Sequence, residues 1–325
     1  MTSKSHQTKM PKGNDHSSIT QTQVKKTLVV VGGPTASGKT SLAIALAQRL
    51  GTEIISADSR QFFKELTIGT AKPSAEELFK VTHHFINSHT ITEEVNAADY
   101  GIQASAVIHQ LFETNDTVVM VGGSGLFIDA VIKGFDDLPP SDEPLRLELQ
   151  SQLNDWGIES LQDRLKELDP EAYCKIDIKN SRRLIRALEV TILSGKPYSA
   201  QLNQKRTPFH GWHVVMVGIE HDRTALYQRI DERTRQMIAD GLKEEVISVI
   251  EHRQRQALQT VGYTEMFQHL DGVLTLEETE KLIAQHTRNY AKRQMTWFNR
   301  YENLIWIAPT DSNQMADAVI KHLQQ

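Results

Sequence analysis

Short, uninterrupted apolar runs alternate along this chain with longer stretches in which apolar residues recur at helical spacing. The runs at 27–31, 117–121 and 213–217 are rich in valine and free of acidic residues. Such runs are typical of strands that are buried on both faces of a parallel sheet. Shorter runs at 53–56 and 304–307 predict two more strands. Strands that alternate with helices indicate an α/β fold with a doubly wound parallel sheet.

Helical periodicity fills the segments between these strands. Residues 41–47 form an apolar helical stretch that should end near Gly51, and residues 100–112 predict another helix. A long helix is expected after 213–217, with Asp222 as its N-cap and Gly241 as its stop signal. A closing helix is predicted over residues 314–324.

The middle of the chain has a different texture. Residues 136–144 are rich in proline and acid and read as a linker, and only helical periodicity follows over 145–193. A length of 325 residues is long for one compact domain. We therefore predict a main α/β domain made of residues 27–137 and 209–325, with a smaller helical domain inserted at 138–208.

Composition excludes several classes of protein. Residues 1–26 are polar without periodicity and lack the features of a signal peptide, so we predict a disordered tail. No run approaches the roughly 18 apolar residues of a membrane helix, and we expect a cytoplasmic protein with no membrane partner. The single cysteine, Cys174, excludes an intrachain disulfide and favours a reducing compartment. His83 and His84 read as part of a strand, because no further metal ligand lies at a suitable spacing.

The net charge of −5 argues weakly against a nucleic-acid partner, but the charge is unevenly distributed. Residues 182–186 contain three arginines and no acid, and residues 288–301 are basic, aromatic and free of acids. The second segment could equally be a helix whose aromatic residues belong to the core. We expect both features to hold, with Trp297 and Phe298 inward and Arg288, Lys292 and Arg293 partly outward.

The strongest chemical signal is a phosphate-binding loop (P-loop) at residues 33–40, Gly-Pro-Thr-Ala-Ser-Gly-Lys-Thr, between an apolar strand and a helix. Glycines let backbone N–H groups turn inward, the helix N-terminus adds positive potential, Lys39 neutralises phosphate oxygens, and Thr40 can hold Mg²⁺. The fold class is therefore a P-loop-type α/β sheet. The residues predicted to bind a diphosphate are Gly33, Pro34, Thr35, Ala36, Ser37, Gly38, Lys39 and Thr40.

An ATPase would offer an acid at the end of a later strand, but 117–121 runs into Gly122 to Gly125 with no acid. The nearest acid at a strand end is Asp58, just after 53–56. Carboxyl ends of parallel strands face the ligand crevice, so Asp58 is a candidate general base, or alternatively a turn-capping residue.

Arg229 and Arg233 lie at helical spacing in the long helix after Asp222. A guanidinium beside a departing diphosphate would stabilise the charge that develops there. On spacing alone, a solvated helix face in which these arginines pair with Asp231 and Glu232 is the simpler interpretation.

Seven motifs in order along the chain resemble the tRNA dimethylallyltransferase (tRNA isopentenyltransferase) family, in its bacterial type. The two most specific are Ile-Gly-Thr-Ala-Lys-Pro at 68–73 and Lys-Arg-Gln-Met-Thr-Trp-Phe at 292–298. The others are the P-loop and the segments at 58–61, 121–126, 183–190 and 261–263. The chain departs from the family pattern at Ser124 and Phe127, where Thr and Tyr are common, and at Thr260, where Cys is common.

The resemblance implies transfer of the dimethylallyl group from dimethylallyl diphosphate to N6 of the adenosine 3′-adjacent to the anticodon, in tRNAs that read codons beginning with U. It implies that the P-loop holds the donor diphosphate with Mg²⁺ as cofactor and Thr40 as metal ligand. Asp58 would deprotonate the adenine amine, and Arg233 and Thr35 would contact the diphosphate. This reverses the simpler interpretation of Arg233.

The resemblance also implies tRNA as partner, bound through its anticodon stem-loop, with the target base extruded into a tunnel. We expect a monomer. The implied tRNA-binding residues are Asp58, Ser59, Arg60, Gln61, Ser124, Arg146, Arg182, Arg183, Arg186, Gln259, Thr260, Val261, Gly262, Tyr263 and Thr264.

Three alternatives stay open at this point. An adenylate isopentenyltransferase would share the P-loop and Asp58 but would not need the inserted helical domain. A P-loop nucleoside kinase would not need the motifs after Gly69. A non-catalytic, nucleotide-gated RNA-binding protein would leave Asp58 and Arg233 without a purpose.

Overall fold

In the computed structural model, which describes residues 25–202 and 211–324, six parallel strands form one sheet. The strands are β1 (Thr27–Gly32), β2 (Ile54–Ser56), β3 (His83–His84), β4 (Thr117–Gly122), β5 (His213–Ile219) and β6 (Ile305–Ile307). Their order is β3-β2-β4-β1-β5-β6. The predicted α/β class and each predicted strand are confirmed, including the one that contains His83 and His84.

Helices connect the strands and cover the sheet. In chain order they are α1 (Lys39–Leu50), α2 (Ala75–Lys80), α3 (Ala97–Thr114), α4 (Gly125–Lys133), α5 (Glu143–Leu168), α6 (Pro170–Lys175), α7 (Ser181–Ser194), α8 (Tyr198–Gln201), α9 (Arg223–Ala239), α10 (Leu242–Ser248), α11 (Tyr263–Leu270), α12 (Leu276–Phe298) and α13 (Ser312–Leu323). Within the described ranges, none of these is long and apolar enough to cross a membrane.

The predicted ends of two helices are confirmed by their capping groups. Gly51 ends α1 in the left-handed conformation, with φ of 63°, which glycine adopts without steric cost. A carboxylate oxygen of Asp222 accepts hydrogen bonds from the backbone N–H groups of Thr224 and Ala225 at the start of α9. The helix ends at Ala239, just before Gly241.

The central strands are buried on both faces, which explains their uniformly apolar sequence. In β1, Leu28 and Val30 belong to the apolar cluster beneath α3 and α4. Val29 and Val31 alternate with them and belong to the cluster beneath α1 and α13. Successive side chains of a strand point to opposite faces, so a valine-rich run supplies both cores.

The register of the sheet brings three loops together. Gly32 pairs with Gly122 at the end of β1 and β4, and Ser56 of β2 pairs with Val121 of β4. The P-loop, the turn after β2 and the turn after β4 therefore leave the same edge of the sheet side by side. This is the carboxyl edge, where ligands bind in open α/β sheets.

Helices α10, α11 and α12 form a further layer over this edge, and three of its aromatic side chains press on glycines of the first half of the chain. Phe298 lies against Gly32, Trp297 against Gly125, and Tyr263 against Gly69. A Cβ atom at any of the three glycines would overlap the aromatic ring. Phe298 is fully buried and Trp297 is half-buried, so both point inward as predicted, while Lys292 and Arg293 are exposed and Arg288 is half-buried.

Helices α5 to α8 pack around an apolar cluster of their own, which includes Leu149, Leu165 and Leu184. This agrees with a helical unit between two parts of the sheet. The proposed boundary near residue 208 falls at 203–210, outside the described residues, and the division into domains stays a prediction. The predicted tail lies outside them as far as residue 24.

Candidate active site

A cavity of about 890 Å³ opens at the carboxyl edge of the sheet. Its wall is formed by segments that are far apart in sequence: residues 35–40, 58–61, 69–71 and 259–262, together with Thr264 and side chains from α9 and α12. Arg182, at the start of α7 in the helical unit, reaches the same cavity. The arrangement brings the P-loop, Asp58 and a basic residue of α7 to one space.

The P-loop contains two residues with positive φ angles beside the start of α1. Gly38 has φ of 88° and directly precedes α1, so the loop ends at the N-terminus of that helix, where unpaired N–H groups favour anions. Ala36 adopts φ of 62°, which is uncommon for a residue with a side chain. Gly33 and Pro34 shape the turn, and residues 35–40 line the cavity.

Lys39 carries an unusual amine. Burial lowers the pKa of Lys39 to about 7, an effect that nearby Asp58 partly offsets and that Arg233 reinforces. The amine therefore loses its proton near neutral pH when no anion is bound. An anion beside it would favour the protonated form. In the structure it donates a hydrogen bond to the carbonyl oxygen of Pro34.

Arg233 points from α9 into the P-loop. Its Nη1 atom donates a hydrogen bond to the Thr35 hydroxyl at 3.1 Å. Burial lowers the pKa of Arg233, and Asp58 acts in the opposite direction. A guanidinium remains charged under these conditions, so the loop is lined by a desolvated cation that is suited to an anionic ligand.

The acids beside Arg233 on α9 have other partners. Asp231 pairs with Arg288 of α12, and Glu232 pairs with Arg235 at 2.7 Å. The simpler interpretation, in which Arg233 belongs to a solvated face paired with these acids, is therefore wrong.

Asp58 both caps a turn and faces the cavity. Its Oδ1 accepts a hydrogen bond from the backbone N–H of Arg60 at 2.9 Å. The adjacent N–H of Ser59 donates to the Ser124 hydroxyl at 3.0 Å, which joins this turn to the turn after β4. The two interpretations of Asp58 are thus compatible, because one oxygen holds the turn and the carboxylate still lines the cavity.

The next two residues anchor one wall of the cavity. The Arg60 guanidinium donates to the carbonyl oxygen of Gln256 at 3.0 Å, and the Gln61 amide donates to those of Thr70 and Ala71 at 3.3 and 3.2 Å. The residues of the 58–61 and 68–73 motifs therefore form one surface.

Glu245 of α10, which no sequence pattern indicated, supports that surface from behind. Its carboxylate accepts hydrogen bonds from the three consecutive backbone N–H groups of residues 67–69, at 2.7 to 3.0 Å. It also accepts one from the Tyr263 hydroxyl at 2.6 Å. Tyr263 is fully buried, so any effect on tRNA would be indirect in this conformation.

Replacing Glu245 by Ala should lower the free energy of unfolding by about 3 kcal/mol, because three N–H groups lose a charged acceptor. Urea unfolding followed by circular dichroism measures this change. Glu244→Ala is the matched control, since Glu244 is exposed on the same helix. Equal unfolding midpoints for the two variants would contradict the supporting role.

Most of the residues implied to bind tRNA line the cavity. They are Asp58, Ser59, Arg60, Gln61, Arg182, Gln259, Thr260, Val261, Gly262 and Thr264. Ser124, Arg146, Arg183, Arg186 and Tyr263 are not among the lining residues.

Two of the arginines outside the cavity already have a strong partner. Arg146 and Arg186 each pair with the fully buried carboxylate of Glu189, at 2.9 and 2.7 Å. Their predicted contact with tRNA would have to compete with this ion-pair cluster.

Helix α12 contributes cavity residues beyond those predicted. Tyr290 lines the cavity, and its pKa is raised by burial and by the charge of Asp58. His286 also lines it and contacts the buried Glu265 carboxylate through Nδ1 at 2.5 Å. Tyr290 lies in the basic and aromatic segment 288–301, and His286 lies just before it. The charge and aromatic content of that segment did not indicate which of its side chains face the cavity.

The residues of the cavity fit a hard divalent cation that is held partly by protein oxygens and partly by the phosphates of a substrate. In the part of the chain that the structure describes, no group of three or more His, Cys, Asp or Glu side chains could hold a metal ion. The Thr40 hydroxyl and the Asp58 carboxylate do line the cavity. Mg²⁺ prefers oxygen ligands and usually binds through one or two protein groups, substrate phosphates and water, which matches this set.

Comparison with known proteins gives consistent results. A family model described as IPP transferase matches residues 61–301. A tRNA dimethylallyltransferase from Flavobacterium johnsoniae is 45% identical over 306 residues, covering 92% of this chain and 99% of that protein. The tRNA dimethylallyltransferase 1 of Bacteroides fragilis is 41% identical over 292 residues, covering 89% and 96% of the two chains.

Solved structures agree with these matches. The full-length tRNA isopentenylpyrophosphate transferase from Bacillus halodurans is 37% identical and superposes with a TM-score of 0.68, covering 92% of this chain and 96% of that one. A eukaryotic dimethylallyltransferase, whose structure is described as acting on tRNA, superposes with a TM-score of 0.75 at 22% identity and supports the fold alone. The family model spans most of the sequence and the relatives match nearly all of it, so the chain belongs to the IPP transferase family.

Proposed function

We propose that the protein transfers a dimethylallyl group from dimethylallyl diphosphate to N6 of the adenosine 3′-adjacent to the anticodon, in tRNAs that read codons beginning with U. The products are N6-dimethylallyladenosine and diphosphate. The observation that carries the proposal is the convergence of a P-loop, Arg233 and Asp58 on one cavity, in a family whose relatives are tRNA dimethylallyltransferases.

On the donor side, the chain supplies positive charge for a leaving diphosphate. The N–H groups of the P-loop, the Lys39 amine and the Arg233 guanidinium would hold the diphosphate oxygens, and Thr35 would orient Arg233 through their hydrogen bond. As the bond between C1 of the dimethylallyl group and the diphosphate oxygen breaks, the electron pair stays on that oxygen. Preorganised cations stabilise this charge without further reorganisation.

On the acceptor side, Asp58 would accept a proton from the adenine N6 amine as the new bond from N6 to C1 forms. The amine lone pair is delocalised into the purine ring, so the free amine is a poor nucleophile. A positioned carboxylate raises its nucleophilicity by general base catalysis. The hydrogen bond from the Arg60 N–H leaves the remaining lone pairs of the carboxylate free for the substrate.

The proposed cofactor is Mg²⁺, with Thr40 as protein ligand. When bound, it would neutralise charge on the diphosphate. The oxygen-rich lining at Thr40 supports a hard cation.

Basic residues at the cavity rim support tRNA as the acceptor. Arg182 of the helical unit and Arg293 of α12 both line the cavity from outside the sheet. They would contact phosphates and splayed bases of the anticodon stem-loop after the target adenosine leaves its stack. A free nucleotide would need neither residue, which disfavours AMP, ADP or ATP as the acceptor. The proposal includes a monomeric enzyme in the cytoplasm.

The test is incubation of the purified protein with Mg²⁺, dimethylallyl diphosphate and either unmodified tRNA or AMP, followed by mass analysis of the nucleosides. We expect the mass of one dimethylallyl group to appear on tRNA adenosine alone. Modification of AMP alone would assign the chain to free-nucleotide chemistry. Absence of product with both would reopen the kinase and binding-protein alternatives.

A further prediction concerns the protonation of Lys39. With a pKa of about 7, the amine is mostly uncharged at pH 8, and a bound anion favours its charged form. Pyrophosphate binding at pH 8 should therefore take up roughly 0.9 proton more in the wild type than in Lys39→Arg, whose side chain stays charged. Calorimetry in buffers of different ionisation enthalpy measures the difference, and equal uptake by both proteins would contradict it. The affinity of the wild type should fall as the pH rises above 7.

A further inference from the structure

Gln294 is a buried amide on an apolar face of α12. It lies between Ala291 and Phe298 at helical spacing and is only 5% exposed. Its Oε1 atom accepts a hydrogen bond from the backbone N–H of Thr35 at 2.8 Å, and its Nε2 atom donates one to the carbonyl oxygen of Gly123 at 2.8 Å. One side chain therefore ties the P-loop to the turn after β4.

The position of these two bonds is informative. The ladder between β1 and β4 ends at the pair Gly32 and Gly122, after which the two chains diverge into loops. The Gln294 amide accepts one hydrogen bond and donates another, as a peptide group does in a sheet. It connects the two loops just beyond the last backbone pair of β1 and β4. A residue with a side chain does not fit at position 123, because its Cβ atom would overlap the Gln294 amide nitrogen.

The two loops that Gln294 connects contact different groups of the proposed reaction. Thr35 receives the hydrogen bond from Arg233, which belongs to the diphosphate side. Gly123 leads into Ser124, whose hydroxyl accepts from the N–H of Ser59, the residue next to Asp58. The two bonds of Gln294 therefore connect the loop beside Arg233 to the turn beside Asp58.

We propose that Gln294 is a positioning residue that sets the donor half of the site in register with the acceptor half; the inference rests on the proposed transfer reaction. Both hydrogen bonds of Gln294 go to backbone atoms, and although its side chain also lines the cavity, Lys39, Arg233 and Asp58 all remain when the amide is removed. Loss of these two hydrogen bonds therefore impairs the alignment of C1 of the donor with N6 of adenosine more than it impairs the binding of diphosphate or of tRNA. A displacement of about 1 Å in such an alignment can cost roughly 100-fold in rate.

The experiment compares wild type, Gln294→Met and Gln294→Glu. Met has nearly the same shape and deletes both hydrogen bonds, whereas Glu keeps an acceptor for the Thr35 N–H and cannot donate to Gly123. Pyrophosphate affinity is measured by calorimetry, tRNA affinity by filter binding, and the chemical step by single-turnover transfer with saturating substrates. Gln314→Met is the matched control, since Gln314 is exposed on α13.

We expect both affinities of Gln294→Met to stay within about threefold of wild type while the single-turnover rate falls about 100-fold, and Gln294→Glu to be impaired as well. A rate within threefold of wild type would overturn the inference. So would a rate loss matched by an equal loss of pyrophosphate affinity, because Gln294 would then be part of the phosphate site itself. Retained pyrophosphate binding also reports that the variant is folded. Failure of the wild type to transfer the group would instead reject the proposed function.

Discussion

We expect Asp58→Asn to lower the single-turnover rate of dimethylallyl transfer about 10³-fold, while pyrophosphate affinity stays the same or increases. The amide keeps the shape of the side chain and its acceptor for the Arg60 N–H, but it cannot take a proton from the adenine amine. Removing a negative charge beside Arg233, which stays charged, reduces the repulsion of an anion. Because Asp58 also raises the pKa of Lys39, the affinity is measured near pH 6, where protonation of that amine is favoured. Rapid-quench analysis of modified tRNA gives the rate, and calorimetry gives the affinity.

The control for Asp58 is an acid at the opposite edge of the sheet. Asp116 precedes β4 and pairs with Lys26 at 2.9 Å, far in the fold from the carboxyl edge. Asp116→Asn should transfer at the wild-type rate. If Asp58→Asn also transferred at nearly that rate, another group would have to be the base.

We expect Arg233→Met to reduce the transfer rate by about 10² to 10³-fold and to weaken pyrophosphate binding. The guanidinium is half-buried against Thr35, so its charge is only partly screened by water and acts on a leaving diphosphate. Arg233→Lys should recover only part of the rate, because an ammonium lacks the planar fork of the guanidinium. The same quench and calorimetry measurements apply.

Arg235 supplies the matched control on the same helix. It pairs with Glu232 in a solvent-exposed ion pair, and such pairs contribute little. Arg235→Met should leave rate and affinity unchanged. If the Arg233 and Arg235 variants had the same transfer rate and the same pyrophosphate affinity, Arg233 would not stabilise the leaving diphosphate.

The parts of the fold that could be predicted were those with a strong local cause. The strands β1, β4 and β5 are buried on both faces, and the resulting apolar runs are visible without any structure. Helix α4 was not predicted, because Gly122 to Gly125 reads as a loop. Its first residue, Gly125, is selected by contact with Trp297 instead of by helix propensity.

The site divides in the same way. The P-loop and Asp58 could be found because each follows a predicted strand and carries its own chemistry. Glu245 and Gln294 could not, since each acts on backbone atoms of segments more than 170 residues away in sequence. The spacing of Arg233 favoured the wrong interpretation, and only the structure and the family resemblance place it beside Thr35.

The three contacts between aromatic rings and glycines have a consequence for recombination between relatives. Gly32, Gly69 and Gly125 precede the helical unit, whereas Tyr263, Trp297 and Phe298 follow it. A chimera with its crossover inside α5 to α8 inherits each glycine from one parent and its aromatic partner from the other. We expect a hybrid to lose stability where a side chain from one parent replaces the glycine opposite an aromatic ring from the other. The two flanking parts should therefore be inherited together, while the helical unit between them can be exchanged more freely.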